Sequence, residues 1–206
     1  MRLFAAVDPP AEAVALLAGL LPRDSRLRYV RQDQWHITVA FYGEVPEAAL
    51  EELSERLGRV AARTTPFRLS LAAAGTFPAR ASQARVLWCG LSGELAALSR
   101  MADRAVAAGR RSGAGLEDRR FRPHLTLARA RREPVDLSST VAALSGFSGP
   151  EWQVDRLRLV RSHLGAVTRH EQLASWPLGA PGAGGPTGPE ARVEGRGDEA
   201  RTAWSE

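Results

Sequence analysis

Two short segments of this 206-residue chain carry the same order of a histidine, an apolar residue, a threonine and a second apolar residue. The first begins at His36 and contains Thr38, and the second begins at His124 and contains Thr126. On an extended strand, side chains two residues apart lie on the same face, so each histidine shares a face with its threonine while the apolar side chains face a core. Each segment therefore predicts an imidazole beside a hydroxyl.

These groups suit acid–base chemistry on a phosphodiester. An imidazole accepts or donates a proton near neutral pH, and a threonine hydroxyl donates a hydrogen bond to an anionic oxygen. Two such units facing each other could serve in-line attack on phosphorus, with one neutral and one protonated ring. Both forms exist near pH 6.5 if neither pKa is strongly perturbed. Because the repeat is short, chance recurrence is the competing interpretation.

The composition predicts a folded body followed by a disordered tail. Hydrophobic residues make up 44% of the chain, which is enough for a sizeable core. The segment 179–189 consists mainly of glycine and proline, and the charged stretch after it has little to bury. We therefore expect one domain over residues 1–178, made of two closely packed lobes, and a disordered tail over residues 179–206.

The charge of the body favours an anionic partner. All 28 basic residues are arginine, and the chain carries a net charge of +5. The tail has three arginines against five acidic residues, a net charge of −2, so the body carries +7. This balance is typical of proteins that bind a nucleotide or RNA, although much of it can also be solvated surface.

The order of the predicted elements indicates an α+β fold with mainly antiparallel sheet. Hydrophobic patterning predicts strands over residues 2–7, 35–42, 67–73, 84–91, 123–130, 152–163 and 168–178, and helices over 11–21, 46–63, 93–111 and 137–144. Residues 75–78, with the sequence Gly-Thr-Phe-Pro, are predicted to form a loop. Strands and helices do not alternate strictly, which argues against a parallel sheet.

Several classes of protein are disfavoured by the sequence. A single cysteine, Cys89, excludes an internal disulfide and makes a cysteine-based metal site unfavourable. The sequence contains no run near 18 apolar residues and no apolar leader ahead of the first strand. We therefore expect a cytoplasmic protein without a membrane partner.

The motifs and their flanking segments resemble the 2H phosphoesterase superfamily, and within it the bacterial RNA 2′,3′-cyclic phosphodiesterase group, historically called 2′-5′ RNA ligases. The resemblance covers about residues 1–178. Besides the paired motifs it rests on Gly75-Thr76-Phe77-Pro78 ahead of Arg85-Val86-Leu87-Trp88, on Pro123-His124-Leu125-Thr126-Leu127-Ala128-Arg129, and on Leu159-Val160-Arg161-Ser162. It implies a bilobal, pseudo-twofold fold in which each lobe contributes one His-x-Thr strand to a central cleft.

The resemblance also implies roles for the motif residues. His36 is expected to be the general acid for the leaving ribose oxygen, and His124 the base that activates water, so that the product carries a 2′-phosphate. Thr38 and Thr126 are expected to hold the non-bridging phosphate oxygens. No metal and no cofactor are expected, and we expect a monomer that acts on RNA or a nucleotide with a 2′,3′-cyclic phosphate.

Two further residues are expected at the substrate, each five positions after a motif histidine. The resemblance places a phosphate-side arginine at Arg129, yet strict strand alternation turns Arg129 away from the cleft unless a bulge or a strand end intervenes. Phe41 is the matching residue of the first half and is expected either to stack on a base or to lie in the core. Arg122, close to His124, is a further candidate to line the cleft.

Three other interpretations stay open. The four histidines, which include His163 and His170, could form a metal site, although no His-x-x-x-His pair supports it. His170 stands where the family often has a tyrosine, and we expect it to fill that aromatic place in the sheet; this departure from the family pattern leaves the assignment of the catalytic pair unchanged. The fold could also serve an RNA-binding module without turnover, or a sister activity such as opening of ADP-ribose 1″,2″-cyclic phosphate or handling of 2′-5′ linkages.

Overall fold

The computed structural model describes residues 1–114, 121–165 and 168–179, and almost all of the predicted disordered tail lies outside the described residues. The strands are β1 (Arg2–Val7), β2 (Leu27–Tyr29), β3 (Ile37–Glu44), β4 (Phe67–Phe77), β5 (Val86–Gly93), β6 (Leu125–Ala130), β7 (Trp152–Val154), β8 (Arg156–His163) and β9 (Arg169–Pro177), and the helices are α1 (Ala11–Leu20), α2 (Leu50–Ala62), α3 (Leu95–Arg111) and α4 (Ser138–Ala143). The predicted α+β class is confirmed.

The strands form one antiparallel sheet in the order β7-β4-β5-β6-β3-β1-β8-β9, with β2 added to β6. The sheet divides into two equal parts at the boundary between β3 and β6. We call β3, β1, β8 and β9 the first half-sheet, and β6, β5, β4 and β7 the second half-sheet. In each half-sheet the innermost strand is the one that follows a motif histidine, so the fold confirms the bilobal arrangement.

The two half-sheets meet at a single residue pair, Ile37 with Leu125. A local twofold axis passes between the partners of an antiparallel pair and relates residues at equal offsets from them. This axis therefore superimposes the motif of His36 on the motif of His124. The pseudo-twofold symmetry implied by the family resemblance has its local axis at the junction of the two half-sheets.

Helices α2 and α3 cover one face of the sheet, and the main core lies between these helices and the sheet. Leu57 of α2 and Leu98 of α3 are fully buried, as is Tyr42 of β3. The hydroxyl of Tyr42 donates a hydrogen bond of 3.1 Å to the carbonyl oxygen of Ala105 in α3, which satisfies its only polar atom. Removing a side chain such as Leu57 from this layer costs about 2–5 kcal/mol.

The opposite face of the first half-sheet carries a smaller apolar cluster. Strand β1 contributes Leu3 and Ala5 to the main core, and it contributes Phe4 and Ala6 to a separate cluster with Val160. The alternation follows from the pleat of the strand, which turns successive side chains to opposite faces. The sheet thus presents a second surface on the side away from the helices, and the motif histidines belong to it.

Two sequence predictions about the strands are corrected by the structure, and one strand was not predicted. Residues 75–77 of the predicted loop are the end of β4, in which Gly75 pairs with Trp88 and Phe77 pairs with Val86. The predicted strand over 152–163 is interrupted at Asp155, because β7 joins the second half-sheet while β8 joins the first. Strand β2 was not predicted, since three residues are too few to establish an alternation.

No helix in the described part of the chain has the length and apolar character needed to cross a membrane.

Candidate active site

Each motif histidine immediately precedes an inner strand and is oriented by a backbone carbonyl two residues earlier. Nδ1 of His36 lies 2.8 Å from the carbonyl oxygen of Gln34, and Nδ1 of His124 lies 2.6 Å from that of Arg122. A carbonyl oxygen only accepts, so Nδ1 is the nitrogen that donates in both rings. Nε2 is thereby left as the nitrogen that can exchange a proton with a substrate.

The register between β3 and β6 brings the two motifs together. Continuing the pair of Ile37 and Leu125 by one residue in each direction puts His36 opposite Thr126 and His124 opposite Thr38. In this extended register, each histidine is level with the threonine of the other motif. In ideal strand geometry the two histidine Cα atoms lie diagonally about 8 Å apart, which leaves room for a phosphate between the rings.

A bulge in β3 turns Phe41 toward the same face as Thr38. The register with β1 shifts between the pairs Ala6–Thr38 and Ala5–Ala40, so β3 contains an additional residue there. Directly paired residues share a face of the sheet, and Phe41 pairs with Phe4 of the small apolar cluster. Phe41 therefore lies on the cleft face and not in the main core.

The same bulge recurs in β6 and acts on Arg129. The register with β5 shifts between Trp88–Thr126 and Leu87–Ala128, and the next pair is Val86–Arg129. Arg129 consequently shares the face of Trp88 and Thr126, which strict alternation would not allow. The exposed Arg129 side chain is close enough to His124 that its charge lowers the pKa of that ring.

His36 lies in an apolar and cationic environment. Its ring stacks on Phe4 at 4.7 Å with an angle of 27° between the planes, and the ring of His170 meets it edge-on at 5.1 Å. The pKa of His36 is lowered to about 4, mainly by burial; the Gln34 carbonyl opposes this shift, and the charges of His170, Arg158 and His124 contribute to it. The condition that neither imidazole is strongly perturbed is therefore not met.

His170 lies among aromatic rings in the sheet, where its ring contacts Phe4 edge-on at 5.1 Å. It also touches the ring of His36, a contact that the sequence did not predict. Burial and the charge of Arg158 lower the pKa of His170 as well.

Arg158 was not selected from the sequence, and it accounts for much of the positive charge near His36. Its guanidinium forms an ion pair with Asp8 and a hydrogen bond of 3.3 Å to the side chain of Gln172. Burial raises the pKa of Asp8, and the attraction of Arg158 partly opposes that rise. The only signal in the sequence is the period of two in β8, which puts Arg158 on the same face as Val160.

His124 lies among aromatic side chains of the second half-sheet. Its ring meets Phe77 edge-on at 5.1 Å and 87°, and Trp88 lies 6.3 Å away. Burial lowers the pKa of His124, as it does for His36, but without the strong displacement found there. The two rings therefore share a backbone geometry and differ in electrostatics.

The remaining histidine takes part in a different contact. Nε2 of His163 lies 2.7 Å from a carboxylate oxygen of Glu171 on the neighbouring strand. Across the described residues, no group of three or more His, Cys, Asp or Glu side chains is arranged to hold a metal ion. The four-histidine metal site has no geometric support there.

A two-lobed antiparallel sheet with one His-x-Thr strand from each lobe at the junction is the architecture expected of the 2H phosphoesterases. Residues 7–166 match the sequence family described as the 2'-5' RNA ligase superfamily. The chain belongs to this superfamily.

Relatives and solved structures agree with this assignment. The chain is 37% identical over 159 residues to an RNA 2',3'-cyclic phosphodiesterase of Geobacillus stearothermophilus, a match that covers 74% of this chain and 48% of that protein. A protein of the same name from Archaeoglobus fulgidus is 34% identical over 167 residues, covering 80% of this chain and 92% of the relative. The fold also superimposes on the crystal structure of TT0787 of Thermus thermophilus with a TM-score of 0.73 at 29% identity, covering 87% of this chain and 98% of the other.

Proposed function

We propose that this protein hydrolyses 2′,3′-cyclic phosphodiester ends of RNA or nucleotides to 2′-phosphomonoesters, with no metal ion. The observation that carries the proposal is the pair of imidazoles, His36 and His124, that the local axis at Ile37 and Leu125 relates on one face of the sheet. Both have Nδ1 engaged by a carbonyl and Nε2 available. The names of the Geobacillus and Archaeoglobus relatives support the same activity.

The reaction is an in-line displacement at phosphorus. His124 takes a proton from water as its oxygen bonds to phosphorus, and His36 gives a proton to O3′ as the P–O3′ bond breaks. Thr38 and Thr126 donate hydrogen bonds to the two non-bridging oxygens, whose charge increases in the pentacoordinate state. Arg129 adds a positive charge near the same oxygens, and Phe41 offers a ring on which the base of the cyclic nucleotide stacks.

Substrate binding is part of the acid–base mechanism, because the free protein holds His36 largely neutral. Burial lowers the pKa of His36 to about 4. An anionic phosphate placed against the ring stabilises the protonated form and raises its pKa. The proton that His36 delivers is therefore acquired most readily when the cyclic phosphate is bound.

The decisive experiment is product analysis in EDTA. Purified protein is incubated with RNA fragments ending in a 2′,3′-cyclic phosphate, and the 2′- and 3′-phosphate products are separated and counted. We expect the 2′-phosphate. A 3′-phosphate would reverse the assignment of the leaving oxygen, and activity lost on chelation would favour a metal enzyme.

The same incubation separates the other candidate functions. Binding without product would support an RNA-binding module, and faster opening of ADP-ribose 1″,2″-cyclic phosphate would support the sister activity. The proposal extends to action as a monomer in the cytoplasm, since one chain supplies both histidines and RNA is an intracellular substrate. Gel filtration at the assay concentration tests the monomer.

A further inference from the structure

An aromatic surface beside His124 has no part in the hydrolysis described above. Its main component is Trp88, whose six-membered ring lies directly over the backbone of β4. A Cβ atom on Gly75 would be 2.3 Å from two carbons of that ring, and one on Gly90 would be 3.5 Å from another. One side of the indole therefore rests on the strands, where glycine leaves room for it. The side chain is half-buried, and because Trp88 pairs with Thr126 it lies on the cleft face.

Phe77 and Arg122 extend this surface, which we call the Trp88 platform and define as Trp88, Phe77 and Arg122. The rings of Phe77 and Trp88 are 5.5 Å apart with 38° between their planes. The guanidinium carbon of Arg122 lies 6.0 Å from the centre of the Phe77 ring, and the Arg122 side chain is exposed. Partly exposed aromatic rings together with an arginine are the features on which proteins stack single-stranded bases.

The scaffold alone does not require this surface. Paired residues form one row across the first half-sheet, Arg158, Ala6 and Thr38, and the equivalent row across the second half-sheet, Gly75, Trp88 and Thr126. The local twofold axis therefore relates Trp88 to Ala6. It relates Gly75 to Arg158 in the same way. At these two positions the first half-sheet has only the methyl group of Ala6 and the guanidinium of Arg158, which is paired with Asp8. The platform belongs to one side of the cleft only.

The direction of the in-line displacement determines which part of the substrate lies next to the Trp88 platform. O3′ leaves toward His36, so the ribose and base of the cyclic nucleotide lie on the first half-sheet, where Phe41 has the guanidinium of Arg2 at 4.8 Å from its ring centre. The attacking oxygen must approach on the opposite side of phosphorus, next to His124. A nucleoside that attacks through its 5′-oxygen would have its base over Trp88.

We propose that the Trp88 platform is a second nucleobase subsite, and that it holds the nucleoside whose 5′-oxygen enters or leaves phosphorus on the His124 side. The ligand class is a 2′-5′-linked dinucleotide or longer RNA, held by one base on each half-sheet. This inference rests on the proposed function, because it uses the same two histidines and the same in-line direction.

The corresponding step balances without any further reactant. The 5′-hydroxyl oxygen bonds to phosphorus and passes its proton to His124, while the P–O3′ bond breaks and O3′ takes a proton from His36. The product is a 2′-5′ phosphodiester. In the reverse direction the 3′-hydroxyl attacks phosphorus and passes its proton to His36, the 5′-oxygen leaves with a proton from His124, and the cyclic phosphate is formed.

The test compares two substrates that differ only in the group on the His124 side. Adenylyl-(2′→5′)-adenosine carries a base there, whereas adenosine 2′-(methyl phosphate) has the same ribose and phosphodiester with a methyl group instead. Since stacking of one base contributes about 1–3 kcal/mol, we expect kcat/KM to be about 5- to 150-fold higher for the dinucleotide in the wild-type protein. Equal values for the two substrates would overturn the subsite.

Variants of the platform residues show which side chains produce the preference for the dinucleotide. Trp88→Ala should abolish the dinucleotide preference, Trp88→Phe should keep most of it, and Arg122→Ala should reduce it. Phe41→Ala is the matched control, since it should lower kcat/KM for both substrates by the same factor. A preference that survives in both Trp88→Ala and Arg122→Ala would reject the proposal.

A second readout uses the wild-type protein and does not depend on the folding of Trp88→Ala. A dinucleotide with 2-aminopurine as the 5′-linked base should lose fluorescence on binding, because stacking on an aromatic ring quenches it. Unchanged fluorescence at saturation would contradict the stacking. If the wild-type protein fails to hydrolyse a 2′,3′-cyclic mononucleotide, the proposed function fails, whereas hydrolysis without dinucleotide preference rejects the subsite alone.

Discussion

The two half-sheets repeat one backbone and surround it with different side chains. In both, a carbonyl two residues before the histidine holds Nδ1, and a bulge after the threonine turns the residue five positions after the histidine toward the cleft. Around that shared frame, His36 meets Phe4, His170 and the charge of Arg158, whereas His124 meets Phe77 and Trp88. The duplicated part is the part that, in the proposed mechanism, presents an imidazole nitrogen to phosphorus.

This difference separates two requirements of the chemistry. Placing an imidazole on each side of one phosphorus atom needs symmetry, and the pair of Ile37 and Leu125 supplies it. Asymmetry is needed if the two imidazoles are to have different pKa values and to lie beside different parts of the proposed substrate. The side chains on β1, β8 and β9 supply it on one side, and those on β4 and β5 supply it on the other.

The largest expected effect comes from removing either ring. His36→Ala and His124→Ala should each lower kcat/KM for a 2′,3′-cyclic nucleotide by roughly 10² to 10⁴, since each deletes a general acid or base. Steady-state assays measure the loss, and thermal melting of the same samples controls for folding. Near-wild-type turnover in one variant would remove that histidine from the mechanism.

The same two variants assign the roles when the leaving group is changed. A cyclic substrate with sulfur in place of O3′ leaves without needing a proton, so it should restore much of the activity of His36→Ala. It should not restore His124→Ala, which lacks the base. Rescue of the opposite variant would exchange the acid and the base.

The general architecture could be predicted from the sequence because it depends on local patterns. The bounds of β1 were predicted as they stand, and the span predicted for the third helix differs from α3 by two residues at its start. In these cases one alternation or one amphipathic stripe is a sufficient signal. The meeting of the His36 and His124 segments was implied by the resemblance to the family and not by the repetition alone.

The parts that could not be predicted depend on contacts distant in sequence. Gly75 was interpreted as a turn residue, yet it lies in β4. The absence of a side chain at Gly75 leaves the space that the Trp88 ring occupies. The bulges that turn Phe41 and Arg129 toward the cleft break the period of two and leave no mark in composition. The contact of His170 with His36 arises only after β9 has been added beside β8.

The threonines test how symmetric the phosphate site is. Thr38→Val and Thr126→Val keep the β-branched shape and remove the hydroxyl, so each should lower kcat/KM by roughly 10- to 100-fold through loss of a hydrogen bond to a charged oxygen. The exposed Thr65, changed to valine, is the control and should retain full activity. Similar losses place phosphorus on the twofold axis, and a loss confined to one variant would place it in one half-sheet.

A smaller effect is expected at the residue that seats the Trp88 ring. Gly75→Ala puts a methyl group 2.3 Å from that ring, so the indole must move, and we expect a loss of about 1–3 kcal/mol in the free energy of unfolding. Gly19→Ala is the matched control, because nothing lies within 4 Å of the added Cβ atom in the last turn of α1, and the midpoint of unfolding should not fall. Denaturant titration followed by tryptophan fluorescence measures both, and an unchanged midpoint for Gly75→Ala would show that the ring is not fixed there.

The pH dependence should show the asymmetry as a displaced optimum. The profile of kcat/KM reports the free protein, in which burial lowers the pKa of His36 to about 4 and also lowers that of His124 below its ordinary value. One ring must be protonated and the other neutral, so activity falls below the lower pKa and above the higher one. We expect a bell-shaped curve with its optimum between pH 4 and 6.5, and an optimum above pH 7 would contradict it.

The smallest effect, a shift of one limb of that curve, isolates His170. Its positive charge lowers the pKa of His36, as do those of Arg158 and His124, so His170→Tyr should raise the pKa of His36 and move the acidic limb to higher pH. The aromatic contact with Phe4 and His36 remains available to tyrosine, which leaves the charge as the variable. Titration of the imidazole proton resonances by NMR follows His36 directly. His163→Tyr is the control on the same hairpin, because His163 pairs with Glu171 and is not among the groups that lower the pKa of His36. A comparable shift of the His36 pKa in His163→Tyr would assign the effect to the hairpin and not to the ring of His170.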